Sequence, residues 1–329
     1  MPTTAPPPGV FVPVPTFFRP AAEAASTGAL QSKVDVETQI NHSIFLAKAG
    51  IKGLVILGST GEAIHLNRAE RHDLVAGVRK GLDAAGFSGY PIMAGVLTNG
   101  IDETLEWLED YHKAGAQWGL VLVPGYFGAG ASQEGIREWF TIVADKSPIP
   151  ILIYNYPGVT NNVVVEPATY TQLAAHPNIV GCKMSHANVS HHVQVSLDPK
   201  IDHDQFRVYS GFGQQLGPIV FFNAAGVIDG LSAIYPKTVV KLYDNVEKAV
   251  AGDKEALAES RRLQYIVSRA EEFIGKRGVV GIKDAVYRVT GFGNQDGGRL
   301  PINGKLTENE WDTWRKAYLT EIEAEEKSS

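Results

Sequence analysis

Apolar and polar positions along the chain alternate between two regimes. Short, nearly continuous apolar runs begin at Val10 (VFVPVPTFF), Gly53 (GLVILGS), Tyr90 (YPIMAGV), Trp118 (WGLVLVP), Pro150 (PILIYNY), Ile179 (IVGCKMS), Phe206 (FRVYSGF) and Gly226 (GVIDGLS). Between them lie segments such as VETQINHSIFLAKAG, NRAERHDLVAGVRKGLDAAG and DETLEWLEDYHKAG, with apolar residues three and four apart and a closing Ala-Gly. The first kind reads as strands buried on both faces, the second as amphipathic helices with a left-handed stop. Strands alternating with helices imply a parallel sheet covered by helices, and about eight strands is the number that closes a cylinder.

The predicted fold is therefore an α/β (β/α)8 TIM barrel. An open doubly wound sheet permits the same alternation, but no G-x-G-x-x-G follows the first strand, and PTFF makes a poor phosphate-binding turn. Beyond Pro236 the pattern is helical throughout: KTVVKLYDNVEKAVAG, DKEALAESRRLQYIVSRAEEFIG and TENEWDTWRKAYLTEIEAEEK. Residues 1–235 are read as the barrel core and 236–329 as the last barrel helix plus a C-terminal helical extension within the same structural unit. Ala21 to Lys33, small and polar without a period, is read as a loop.

Composition narrows the function classes. A formal net charge of -6 and a pI near 5.9 give no electrostatic footprint for nucleic acid. Cys182 is the sole cysteine, which removes intramolecular disulfides and cysteine-based zinc sites and fits a reducing compartment. No apolar run approaches the roughly 20 residues that span a bilayer, the N-terminal stretch lacks the basic and apolar regions of a signal peptide, and the closing KSS is not a peroxisomal signal. A cytoplasmic location without membrane association is expected.

Chemistry is suggested first by Lys183, a cation within an otherwise apolar strand. Burying an ammonium without a partner costs several kcal/mol, on the order of 3–5 pKa units if the group neutralises instead. If Lys183 points into the barrel, Cys182 and Met184 point out toward the helices, and on the neighbouring strand Leu152 and Tyr154 share the inward face. A desolvated lysine is a neutral nucleophile that attacks a ketone to form a Schiff base, and a nearby phenol suits the accompanying proton transfers. A lysine snorkelling from a strand end to solvent is the plain alternative. Gly58, Ser59 and Thr60, opening GSTGE after the second strand, present backbone N–H groups and two hydroxyls, a cradle for a carboxylate or phosphate or else an ordinary turn. Gly211, in the SGFG that ends the seventh strand, lies at the same carboxyl end, where barrel active sites form. His186, His191 and His192 have no carboxylates or cysteines at ligand spacing, so a polar loop is favoured over a metal site. Glu62 is read as support for the turn, and Trp107 and Trp118 as core.

GSTGE, the Y-N-x-P of YNYPG and the G-x-K of GCK, in that order on strands two, five and six, resemble the dihydrodipicolinate synthase and N-acetylneuraminate lyase family of pyruvate-dependent class I aldolases. The likeness runs from about Gly9 to Pro301. It implies that Lys183 forms the imine with a 2-oxo acid, that Tyr154 shuttles protons, that Ser59 and Thr60 hold the carboxylate, and that neither metal nor organic cofactor is needed. It also implies a homo-oligomer, commonly a tetramer, in which Tyr126 or Phe127 completes a site across an interface.

Departures from the family's patterns bear on the substrate. The arginine that usually follows Y-N-x-P in the synthases is replaced by Val159, removing a carboxylate clamp. Where sialic acid lyases carry two acids after strand seven, this chain has Gly211, Phe212, Gly213 and Gln214. Arg19, Lys237 and Lys283 are the candidates for a second cation that glyoxylate, the aldehyde of 4-hydroxy-2-oxoglutarate aldolases, would need. A short neutral aldehyde remains, with His186, Asn188, Thr160, Asp229 and Ser232 as polar groups to bind it. Within the family this resembles the fungal aldolases that cleave 2-keto-3-deoxy-L-galactonate to pyruvate and L-glyceraldehyde. The alternatives are 4-hydroxy-2-oxoglutarate aldolase, dihydrodipicolinate synthase, or a non-catalytic barrel that binds 2-oxo acids.

Overall fold

A computed structural model describes residues 4–329. Eight strands close a parallel barrel in chain order: β1 (Gly9–Pro13), β2 (Gly53–Ile56), β3 (Ile92–Val96), β4 (Trp118–Leu122), β5 (Ile151–Asn155), β6 (Ile179–Met184), β7 (Arg207–Ser210) and β8 (Gly226–Ile228), with β8 pairing back to β1. All eight apolar runs contain a strand.

Helices α1 (Ala21–Thr27), α2 (Val36–Lys48), α3 (Arg68–Ala84), α4 (Ile101–Lys113), α5 (Gln133–Lys146), α6 (Pro167–Leu173), α7 (Val189–Ser196), α8 (Leu216–Val220) and α9 (Pro236–Val250) fill the connections. Their starts are sequence-encoded. Asp35, Ser132 and Asn188 accept backbone N–H groups of the first turns of α2, α5 and α7, and Asn67 and Glu70 form a reciprocal capping box on α3. The Ala-Gly stops behave as expected, with Gly50, Gly86 and Gly115 all at positive φ.

Two apolar layers result. Phe11, Val55, Met93, Leu120, Leu152, Tyr154, Val180, Tyr209 and Ile228 belong to the cluster inside the cylinder. Val12, Leu54, Ile56, Ile153, Cys182 and Met184 belong to the larger layer between strands and helices. The inside is packed rather than open, so chemistry is confined to the mouth at the carboxyl ends of the strands.

Ala21 to Lys33 differs from the expected loop, because Ala21–Thr27 forms α1. None of its residues is buried, so no apolar period could betray it; alanine propensity and Gly28 at φ 68 define it instead. The extension is α10 (Lys254–Thr290), α11 (Glu308–Trp314) and α12 (Thr320–Ser328), the last two joined by a π-helical turn. α10 breaks at Gly278, whose φ of 53° and ψ of -145° are not helical, and its second half continues beyond the Gly275 at which the apolar period ends. That break carries the helix across the barrel mouth.

Buried charge fastens it there. Glu62, at φ 53° in the turn after β2, pairs with Lys283 of α10 at 2.7 Å and accepts the Arg299 N–H at 3.2 Å. Arg299 in turn donates to the carbonyls of Ser32 and His65, both at 2.8 Å. Glu62 is thus a structural hub, in keeping with its reading as support.

Candidate active site

The chain places Lys183 inside the barrel through an irregularity. Ile151 pairs with Ile179 but Leu152 pairs with Gly181, leaving Val180 as an extra residue. A Cβ on Gly181 would run into the Arg207 carbonyl of β7, so this tight passage requires glycine. Beyond the bulge alternation resumes: Cys182 and Met184 face the helices, and Lys183 between them faces inward, level with Tyr154 on β5 and Tyr209 on β7.

Lys183 is only 5 % exposed, and its amine lies 4.6 Å from the centroid of the Tyr154 ring. Burial drives its pKa down to about 7, against the opposing pull of the Asp229 carboxylate. About half the population is then neutral at pH 7, the form that attacks a carbonyl. Burial pushes the Tyr154 phenol up, while hydrogen bonding to the Ser59 and Ser185 hydroxyls pulls it down, so at neutral pH it holds its proton. The Tyr154 Oη to Ser59 Oγ distance is 3.4 Å.

Lys183, Tyr154, Ser59, Thr60 and Gly211 line one cavity of about 260 Å³. Larger hollows exist, including one of about 670 Å³ by α9 and the C-terminal helices, but its lysines, Lys237 and Lys327, are not buried as Lys183 is. Gly58 lies buried in the β2 turn and does not line the cavity. Tyr126 is 74 % exposed and lines an adjoining hollow of about 490 Å³ that shares Ser59 and Tyr156 with the first. Phe127 packs edge-on against Tyr126. Val159 and Thr160 also line this outer hollow.

Two expected contacts fall elsewhere. Ser232 is fully buried in the turn after β8, where its N–H donates to Asp229 Oδ1 at 2.8 Å and its hydroxyl to the Asp229 carbonyl at 2.8 Å, so it positions the carboxyl and does not line the cavity. His186 packs against His191 and His192, with ring centroids at 5.8 and 5.1 Å, and accepts the Asn188 N–H; it too is off the cavity wall. Burial, with its imidazole neighbours, drives its pKa down to about 4. Asn188 is spent on capping α7. Of the candidate second cations, Arg19 pairs with Asp35, Lys283 with Glu62, and Lys237 donates to the Ser329 carbonyl.

Three contributors were not legible in advance. Ser185 sits one residue beyond β6 on the cavity wall, and Tyr156 stacks on Tyr154 with centroids 6.0 Å apart. Glu271 of α10, 4 % exposed, also lines the cavity. In the segment SRAEEFIG the sequence does not distinguish two adjacent acids, and the passage of α10 over the mouth buries Glu271 and leaves Glu272 exposed.

A barrel of this topology with a desolvated lysine beside a phenol and a hydroxyl-bearing turn defines a class, and residues 23–317 match the model of the dihydrodipicolinate synthetase family. The chain belongs to that family. It is 32 % identical over 290 residues to an L-threo-3-deoxy-hexylosonate aldolase of Hypocrea jecorina, covering 87 % of each chain. It is 33 % identical over 318 residues to the "Probable 4-hydroxy-2-oxoglutarate aldolase, mitochondrial" of Emericella nidulans, covering 97 % of this chain and 96 % of that one. Among solved structures, a dihydrodipicolinate synthase family protein from Coccidioides immitis superposes with a TM-score of 0.81 at 29 % identity, covering 99 % of both chains.

Proposed function

We propose that the chain is a Schiff-base-forming class I aldolase that cleaves a 2-keto-3-deoxy sugar acid to pyruvate and a short neutral aldehyde, with 2-keto-3-deoxy-L-galactonate and L-glyceraldehyde as the pair. The carrying observation is the Lys183 amine, dry and 4.6 Å from the Tyr154 ring, in a cavity that also holds Ser59 and Thr60.

In this reading Lys183 condenses with C2 of the substrate while the Ser59 and Thr60 turn holds its carboxylate. Tyr154 gives its proton to the hydroxide that leaves the carbinolamine as water; the resulting phenolate takes up the C4 hydroxyl proton, the C3–C4 bond breaks with the iminium as electron sink, and the aldehyde departs. Protonation of the enamine and hydrolysis release pyruvate and restore the amine. The protein supplies every group required, so no metal or organic cofactor enters.

Substrate choice rests on charge. Lys183 is the one cationic side chain among the described residues lining the cavity, and it is engaged by the ketone. An aldehyde with its own carboxylate would find no partner there, which supports a neutral aldehyde. The likeness to the Hypocrea jecorina aldolase points the same way, while the likeness to the Emericella nidulans protein supports 4-hydroxy-2-oxoglutarate as the second reading. Pyruvate release, followed through lactate dehydrogenase, separates them. The highest kcat/KM is expected with 2-keto-3-deoxy-L-galactonate; preference for 4-hydroxy-2-oxoglutarate selects the second reading, and binding without turnover on any 2-keto-3-deoxy acid selects a non-catalytic sensor.

A homotetrameric assembly belongs to the same proposal, supported by Tyr126 and Phe127 at 74 % and 83 % exposure on one loop. A cytoplasmic site of action is proposed on composition. No helix among the described residues is long and apolar enough to cross a membrane.

A further inference from the structure

Two carboxyl groups meet beside the lysine. Asp229 leaves the end of β8 fully buried; Oδ1 accepts the Ser232 N–H, and Oδ2 has no partner. Glu271 comes from α10 on the far side of the mouth, and its Oε1 also has no partner. Both orphaned oxygens lie against Gly213. A Cβ on that residue would lie 2.5 Å from Glu271 Oε1 and 3.0 Å from Asp229 Oδ2, so the meeting requires glycine in the turn after β7. Two buried carboxyl groups this near, each with an unpartnered oxygen, are costly unless one carries a proton.

We propose that Glu271 and Asp229 hold one proton between them and form the aldehyde-recognising end of the cavity, accepting and donating hydrogen bonds to a hydroxylated aldehyde and repelling, through the single negative charge they keep, an aldehyde that bears a carboxylate. This rests on the Schiff-base reading above and deepens it by assigning selectivity to a residue of the helical extension. Glu271 presents the pair to the cavity wall; Asp229 lies behind it, anchored by the Ser232 turn.

The titratable groups facing the pair are few. Asp229 meets Lys183 from β6 and Glu271 from α10, and Glu271 meets Asp229 and the Gly213 backbone N–H. Burial raises both acids, Asp229 to about 6 and Glu271 well above the ordinary carboxyl value, the latter raised further by the Asp229 charge. At neutral pH the proton therefore resides on Glu271 and the charge on Asp229. That charge also balances the iminium once Lys183 has reacted, and, with the pyruvate carboxylate held on the Ser59 and Thr60 turn, it disfavours a further carboxylate on the aldehyde.

The test is the ratio of kcat/KM for glyceraldehyde to that for glyoxylate, each condensed with pyruvate, in the wild type and in the double variant Asp229→Asn/Glu271→Gln. Both acids are changed together because either one alone, freed of its rival, can take up the charge. The ratio is expected to fall tenfold or more in the double variant; a ratio within twofold of wild type overturns the proposal. Borohydride trapping of pyruvate is run alongside. An adduct at Lys183 with an unchanged ratio rejects the carboxyl pair alone, whereas no adduct in the wild type rejects the Schiff-base reading. Should the double variant fail to fold, the wild type decides by pH. Both aldehydes meet the same enamine, so the ionisation of Lys183 and Tyr154 cancels in the ratio, and glyoxylate stays anionic. The ratio is expected to fall as pH drops from 8 to 5 and the pair takes its second proton; a flat ratio overturns the proposal.

Discussion

Raising the pH from 5 to 9 should switch Lys183 from a spectator cation to a nucleophile, and the position of that switch follows from its surroundings. With a pKa driven down to about 7, roughly half the amines are neutral at pH 7. For an unperturbed lysine near 10.4 the neutral fraction would be on the order of 1 in 3,000. Burial at 5 % exposure thus yields about a 10³-fold larger nucleophile population, about 5 kcal/mol at 1.36 kcal/mol per pKa unit. The same energy appears in stability. Between pH 7 and about 10.4 the unfolded chain binds a proton that the folded chain has shed, so the lysine's destabilising contribution is largest below pH 7 and is relieved as pH rises. The assay is the initial rate of pyruvate imine formation, quenched with borohydride and read by intact mass at half-unit steps. The rate should climb about tenfold per pH unit up to 7 and level off by 8. A rate still climbing tenfold per unit beyond pH 8.5 would mean that the amine is hydrated, and the reasoning from burial would be wrong.

Further outcomes follow from particular contacts. Tyr154→Phe should lower kcat about 10²- to 10⁴-fold, the usual range for a lost acid–base group, with the borohydride adduct still forming at Lys183; turnover within threefold of wild type would remove the phenol from the mechanism. Glu62→Gln strands the buried Lys283 ammonium and should cost about 3–5 kcal/mol in urea unfolding, whereas a loss below about 1 kcal/mol would show that Lys283 finds another partner. Val159→Arg introduces a guanidinium in the adjoining hollow and should raise kcat/KM for glyoxylate about tenfold over wild type by offsetting the charge that Asp229 and Glu271 keep, and no gain would indicate that a cation there does not reach the aldehyde.

The barrel was legible because its strands are apolar on both faces and its helices are not, a contrast that survives without any knowledge of contacts. The inward lysine was legible for the same reason, since Cys182 and Met184 belong to the outer layer. The alternation held only locally, however: from Lys183 backward it would place Ile179 inside, whereas the bulge before Gly181 puts Val180 there, and a single extra residue leaves no mark on composition. Helix α1 was invisible because it buries nothing. Ser232 and His186 were expected as substrate contacts; the structure turns Ser232 onto Asp229 and His186 onto the start of α7 through short-range hydrogen bonds whose geometry no residue pattern specifies. Glu271 was missed because its burial depends on the packing of the first half of α10 against the turn after β7, where Gln264 donates to the Gly213 carbonyl at 3.1 Å, a contact between distant parts of the chain.

The chemistry turns above all on which nitrogen meets the substrate. Peptide mapping of the protein after reduction with borohydride in the presence of pyruvate addresses this directly: the added mass is expected on the peptide carrying Lys183, with Lys283 and the surface lysines unmodified. An adduct confined to any other lysine, or none at all in folded protein at pH 8, would contradict it.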